Sequence, residues 1–287
     1  MIYTNIKVLI HHLTPKFMLT KLAGILASHQ LGSLTTFMIK KFAAHYKINM
    51  SEAKKETPEE YKTFNEFFTR ELKDNARPIY ENENSVTMPV DGTLAEFGTI
   101  SYGRLIAAKG QDYSLRDLLG GNTETAKLFE NGKFACIYLS PMNYHRIHMP
   151  FTGKLRQMIF IPGKFYSVNP LYVSKIDNLF TRNERVVCIF DTKFGPMAMV
   201  LVGATIVGSI ATKWAGRVYP QNRKDITVYN YKEHEQISID KGAEMGQFYL
   251  GSTVITIFPK STVEFVNKLK TNDTVWLGNE LANLTIN

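Results

Sequence analysis

Three short stretches concentrate side chains able to do chemistry. PVDG carries Asp91 ahead of a glycine. YLSPMNYHRIHMP carries His145 and His148, three residues apart. FYLGSTVITIF, residues 248–258, places Gly251, Ser252 and Thr253 in the middle of a strand-like run. Aspartate, histidine and serine together suggest nucleophile activation: a serine hydroxyl is weak until a base takes its proton, and the base works best when a carboxylate orients it. The chain order is Asp91, His148, Ser252. G-x-S-x-G is absent, and Ser252 falls inside a strand pattern rather than on a strand-to-helix turn, which argues against a lipase-type hydrolase. Each stretch also has a plainer reading. Asp-Gly is a common hairpin turn, the histidines suit a loop after a strand, and Ser252 suits a bulge. The two histidines with Asp91 have metal-ligand character, but no further ligand cluster accompanies them, and no metal is expected.

The glycine before Ser252 opens a different chemistry. Glycine weakens a strand and marks a bulge or a close approach of backbones. With no side chain, the Gly251 carbonyl is open to attack, and its backbone tolerates strained geometry. Attack by Ser252 Oγ on that carbonyl turns the amide into an ester. Elimination then breaks the chain and leaves a dehydroalanine, which becomes a pyruvoyl group with loss of ammonia. A ketone at a new N-terminus can bind a substrate amine and withdraw electrons, the role pyridoxal phosphate fills elsewhere.

The elements that must hold these residues fall into two textures. Thr14-Pro15 reads as a helix start, followed by an apolar stripe of Phe17, Met18, Leu22, Ile25 and Leu26, a break at Gly32, and a second stripe of Leu34, Phe37, Met38, Phe42 and Tyr46. TPEEYKTFNEFFTRELK predicts a further helix, capped by Thr57 with Glu60 three residues on, its apolar face made by Tyr61, Phe64, Phe67, Phe68 and Leu72. From about Thr87 strand-like runs dominate: 134–139, 186–190, 197–212, 226–231 and 248–259, with one short helix expected near 262–270. The expectation is an α+β protein, an N-terminal amphipathic helical region (1–80) packed on a mainly antiparallel β core (81–287).

The chain has 287 residues and a formal net charge of +8, with no Asp or Glu from Met1 to Met50 but Lys7, Lys16, Lys21, Lys40, Lys41 and Lys47. These lysines alternate with Phe, Leu, Ile and Met, which favours an anionic membrane surface over nucleic acid. No run approaches the roughly 20 apolar residues that span a bilayer, so the segment is expected to lie on a membrane. Cys136 and Cys188 sit far apart in apolar runs without C-x-x-C, as buried reduced thiols do in a cytosolic protein.

Several segments, in order, resemble the bacterial phosphatidylserine decarboxylase proenzymes: FFTRELKDNARPI (67–79), PVDG around Asp91, LSPMNYHRIHMP (139–150), PGKFYSVNP (162–170), GPMAMVLVGATIVGSI (195–210), and KGAEMGQFYLGST, which ends in the LGST cleavage motif at Leu250–Thr253. The resemblance covers nearly the whole chain after about residue 50. It implies self-cleavage between Gly251 and Ser252 into a β chain (1–251) and an α chain (252–287) that stay associated, an αβ unit for which a dimer is one open arrangement. It implies a covalent pyruvoyl group made from Ser252. It maps a self-cleavage triad onto Asp91, His148 and Ser252, with His148 as base and Asp91 holding its ring, and maps decarboxylation onto His145. It points to Ser167 and Asn169 as head-group contacts, to phosphatidylserine as substrate, to phosphatidylethanolamine and carbon dioxide as products, and to the cytoplasmic side of the cell membrane as a peripheral location. Two rival classes stay open on the residues alone. A triad hydrolase would keep an intact chain. A biotinyl- or lipoyl-type carrier would share the Asp-Gly hairpin but needs an exposed lysine at a hairpin tip, and no Met-Lys-Met is present.

Overall fold

The computed structural model describes residues 16–106, 112–204, 210–218, 225–231, 236–249 and 251–285. The Thr14-Pro15 helix start, Lys7, part of the 195–210 segment and Leu250 of the LGST motif lie outside the described residues. The chain is α+β, with helices first and antiparallel sheets after them.

Two helices, α1 (Lys16–Ser28) and α2 (Ser33–Tyr46), meet at Gly32, where φ is +56°. The axes bend by 112° there, and among the described residues no single helix is long and apolar enough to cross a membrane. The expected long helix over 57–73 is broken instead. Pro58–Glu60 is a single 3-10 turn, with Glu60 Oε2 accepting from Thr57 N at 2.8 Å, and only α3 (Phe64–Phe68) is α-helical. Its aromatic spacing serves a small core rather than a long amphipathic face. Tyr61, Phe64, Phe67 and Phe68 are buried against Ala27 and Ile39, with Phe42 edge-on to Phe64 and Phe67.

The strands that matter for the site are β1 (Gly92–Ser101), β2 (Lys133–Leu139), β3 (Arg146–His148), β4 (Gly153–Ile161), β5 (Arg185–Thr192), β6 (Gly195–Val202), β7 (Ile210–Thr212), β8 (Glu244–Phe248) and β9 (Ser252–Phe258). In the large sheet the order β4-β5-β6-β9-β2-β1 runs antiparallel throughout. A smaller sheet joins β7, β8 and β3. A third pairs Ser85–Thr87, Glu280–Leu284 and Val263–Phe265. The last of these strands lies where a short helix was expected. Val263 is buried in the core, Glu264 is exposed and Phe265 packs against the same core, so the period there is two rather than 3.6.

Continuous apolar runs such as VVCIF and MAMVLV read as strands buried on both faces, and the large sheet uses them so. Along β5, Val186, Cys188 and Phe190 face one core, and Val187 and Ile189 face the other. Along β6, Met197, Met199 and Leu201 oppose Ala198, Val200 and Val202. The first core is closed by the two smaller sheets through Ile147, Met245, Phe248 and Leu281, and the second by short helices and loops carrying Leu115, Phe129, Val168 and Phe180. Cys136 and Cys188 are free and buried, and burial pushes both thiols up.

Candidate active site

The run 248–258 is not one strand. One strand ends at Phe248 and another begins at Ser252, and the two belong to different sheets: β8 lies in the smaller sheet and β9 in the large one. The segment paired with it divides in the same way, β2 in the large sheet leading through Ser140–His145 to β3 in the smaller one. Two chain segments therefore cross side by side from sheet to sheet. Ser252 opposite Leu139 is the first pair on one bank, and Phe248 N donating to His145 O at 2.9 Å closes the other. Gly251 stands in the gap, and apart from its chain neighbours no described residue lies within 4 Å of where a side-chain carbon on it would be. The glycine that weakened the strand pattern marks this crossing.

Ser252 is wholly buried, and among the described residues its hydroxyl has no hydrogen-bond partner; the Thr253 hydroxyl beside it has none either. Orphaned buried hydroxyls are costly. Here they stand at the one backbone step where sequence suggested a reaction.

His145 is also wholly buried. Its Nδ1 lies 2.8 Å from the Asn143 carbonyl, an acceptor only, so Nδ1 carries the proton and Nε2 presents a bare lone pair with no partner. Phe68 packs on the ring at a centroid distance of 4.1 Å. Burial, aided by the positive charge of Arg70 and opposed by the Asn143 hydrogen bond, pushes the imidazole down to about 3. It is neutral at physiological pH.

His148 lies at the end of β3. Its Nδ1 donates to the Gly242 carbonyl at 2.8 Å, and its Nε2 accepts from the Tyr144 hydroxyl at 3.2 Å. Gly242 has φ +80°, and a side chain there would press on Ile79, so glycine is needed to bring this carbonyl under the ring. Burial holds His148 below the usual histidine range against the Gly242 bond and the charge of Glu244.

Asp91 is 1% exposed and enters β1 directly. Its dipeptide is no hairpin turn. Gly92 is small because a side chain would collide with the Tyr138 carbonyl on β2. The carboxylate is grasped by Arg77, whose Nε lies 3.0 Å from each oxygen and whose Nη2 donates to Oδ2 at 2.8 Å, and it accepts from Leu277 N at 2.8 Å. Arg77 also reaches Glu52 and stacks over Trp276.

The structure thus brings His145 and Ser252 to one crossing. It gives His148 and Asp91 hydrogen bonds to Gly242, Tyr144, Arg77 and Leu277, and none of their described bonds joins them to each other or to Ser252. Asn169 Oδ1 caps the short helix that follows it, accepting from Leu171 N at 3.0 Å, while Ser167 Oγ faces Asn169 N. Their loop is pinned by buried Asn183, which bonds Tyr166 N, Tyr166 O and Gly203 O.

Three residues that sequence reasoning passed over bear on the site: Arg77, Tyr144 and Arg70. Tyr144 lies inside a stretch that suggested chemistry, and the two arginines lie in the segment 67–79, which bore on chemistry only through the resemblance; no spacing rule says that an arginine will be buried or which acid it will meet. Arg70 is 5% exposed, and its Nη2 reaches the Met142 and Asn143 carbonyls at 3.2 and 3.4 Å.

Residues 64–283 match the family model described as phosphatidylserine decarboxylase, and residues 6–47 match one described as PSD. The chain is 52% identical over 278 residues to the phosphatidylserine decarboxylase proenzyme of Psychromonas ingrahamii, covering 97% of each. It is 50% identical to those of Aliivibrio salmonicida, covering 98% of each, and Vibrio parahaemolyticus, covering 97% of this chain and 98% of that one. These matches define a decarboxylase. The chain belongs to the phosphatidylserine decarboxylase family.

Proposed function

We propose that this chain matures by breaking its own Gly251–Ser252 bond and then decarboxylates phosphatidylserine to phosphatidylethanolamine at the surface of an anionic membrane. The observation that carries the reading is the buried, unpartnered Ser252 hydroxyl at the crossing between two sheets.

In maturation, Ser252 Oγ bonds to the Gly251 carbonyl carbon, and the amide C–N bond breaks as its nitrogen gains a proton. Loss of the Ser252 α-proton then expels the Gly251 carboxylate, and water releases ammonia. His148 serves as base. It is held as the Nδ1-H tautomer by Gly242, so its lone pair is at Nε2. Asp91, locked by Arg77, supplies a fixed negative charge that favours the protonated ring. For Nε2 to reach Ser252, the Tyr144 hydroxyl must yield its place.

The site suits a small keto group at position 252: the hydroxyl there is orphaned, the space at Gly251 is open, and His145 offers an unpaired nitrogen. A pyruvoyl group would bind the substrate amine covalently and draw off the electron pair that the departing carboxylate leaves. His145 begins turnover unprotonated; the substrate carboxylate arriving beside the ring raises its affinity for a proton, so Nε2 takes one that the amine gives up on condensation and returns it to the same substrate's α-carbon after carbon dioxide leaves. The apolar packing of Phe68 keeps water from that nitrogen. Ser167 and Asn169 hold the head group.

The two products stay together because β9 lies between β6 and β2, buried along its whole length. Membrane contact comes from α1 and α2, which leave Met18, Leu22, Ile25, Leu26, Leu34 and Phe37 exposed. Denaturing electrophoresis with intact mass tests the reading. The parent should split in two, and Ser252→Ala should remain one chain.

A further inference from the structure

We infer that Arg70 is the anion-recognition residue of this site, its free N–H groups taking an oxyanion of the lipid head group beside His145.

Arg70 follows α3 in the segment Phe67-Phe68-Thr69-Arg70, which is laid against the loop that carries His145. Phe68 packs on the His145 ring, Thr69 O accepts from Arg146 Nε at 2.9 Å, and Arg70 Nη2 reaches the Asn143 carbonyl that His145 Nδ1 also uses. The guanidinium stacks on Phe67 at 5.7 Å and is 5% exposed. One nitrogen is used by the two loop carbonyls. Among the described residues, Nε and Nη1 have no hydrogen-bond partner.

A buried cation normally meets a carboxylate, because an unpaired one is costly. No described ion pair involves Arg70. The acids whose charges act on it, Asp91 and Glu52, are both taken by Arg77. What remains is a planar fork with donors to spare, next to the histidine assigned to the substrate's α-carbon. Guanidinium suits the oxygens of a carboxylate or phosphodiester, and the substrate brings both. Filling those donors only when substrate is present lets binding energy from the head group position the reacting carbon.

The inference rests on the site reading above, and the two fail differently. Splitting of the parent chain tests the site. The Arg70 variants test the residue. Arg70→Gln keeps a donor for the loop carbonyls but loses the charge. Matured parent and variant are assayed on phosphatidylserine in mixed detergent micelles, with glycerophosphoserine and glycerophosphoethanolamine as soluble competitors. The expected result is a KM raised at least about tenfold with kcat changed much less. Weaker inhibition by both competitors identifies the phosphodiester as the bound group, and weaker inhibition by glycerophosphoserine alone identifies the carboxylate. A KM within about twofold of the parent, with both inhibition constants unchanged, overturns the assignment. If Arg70→Gln does not split, Arg70→Lys, which keeps the charge but not the fork, is measured in the same way. An unchanged KM there, or a lysine variant that also stays whole, makes Arg70 a structural residue and overturns the inference.

Discussion

The Tyr144 hydroxyl lies 3.2 Å from Nε2 of His148, the only nitrogen of that ring with a lone pair to offer, because Nδ1 is committed to the Gly242 carbonyl. In the unbroken chain the proposed base is therefore occupied by a phenol whose own proton is held firmly, since burial pushes the Tyr144 hydroxyl up. Removing that hydroxyl frees Nε2. Tyr144→Phe should split at least as fast as the parent in a time course of refolded or freshly translated protein. Splitting slowed by about tenfold or more, roughly 1.4 kcal/mol of barrier, would instead make Tyr144 a proton relay.

The fork of Arg77 on Asp91 is a buried ion pair, and breaking such a pair leaves an uncompensated charge. Arg77→Met should destabilise the fold by about 3–5 kcal/mol, read as a lower urea midpoint in the unsplit Ser252→Ala background. Asp91→Asn should cost less, because Arg77 keeps Glu52. Equal losses in the two variants would mean that Glu52 contributes nothing.

Acid should weaken the fold through His145. In the unfolded chain this imidazole titrates near 6.5, and in the fold it is pushed down to about 3. Between those values the unfolded chain holds a proton that the folded chain does not, so stability rises with pH across that window and falls on acidification. At pH 5 the one site accounts for about 2 kcal/mol relative to neutral pH. Urea unfolding at pH 5 and 7 should show that loss in Ser252→Ala, and a loss smaller by that amount when His145→Asn is added. The same pH dependence in both chains would contradict a buried neutral His145.

Membrane attachment is best tested without truncation. Deleting residues 1–50 would weaken vesicle binding but would also uncover Phe64, Phe67 and Phe68, which pack against Ile39 and Phe42. Replacing Leu22, Ile25, Leu26 and Phe37 by serine alters only exposed side chains. Sedimentation with vesicles of anionic phospholipid should fall at least about tenfold, given roughly 1.5–3 kcal/mol for each large apolar side chain fully buried, while chain splitting stays normal. Undiminished sedimentation would remove α1 and α2 as the attachment surface.

The sheet core was legible because runs such as VVCIF and MAMVLV are short, apolar and rich in valine and isoleucine, as strands buried on both faces are. The helix break at Gly32 was legible locally as well. The long helix over 57–73 was not. Its aromatic spacing is helical, but those rings answer to α1 and α2, a tertiary demand that overrides local pattern. Ser252 and His145 stood out by type and neighbours, whereas the partners of His148 and Asp91 did not. Gly242 and Leu277 act through backbone atoms, which carry no side-chain signature, and Arg77 lies in a non-helical stretch 14 residues before Asp91, at a spacing that matches no rule. The crossing at Gly251 was half visible: the glycine marked a fault in the strand, and only the sheets show that the fault is a change of sheet.

The most direct test of the central claim is the intact mass of purified, active protein under denaturing conditions. The account predicts two chains, Met1–Gly251 ending in a free carboxylate and a second running from position 252 to Asn287 with a keto group, reducible by borohydride, in place of the serine amine. A single unbroken chain that still releases carbon dioxide from phosphatidylserine would contradict it.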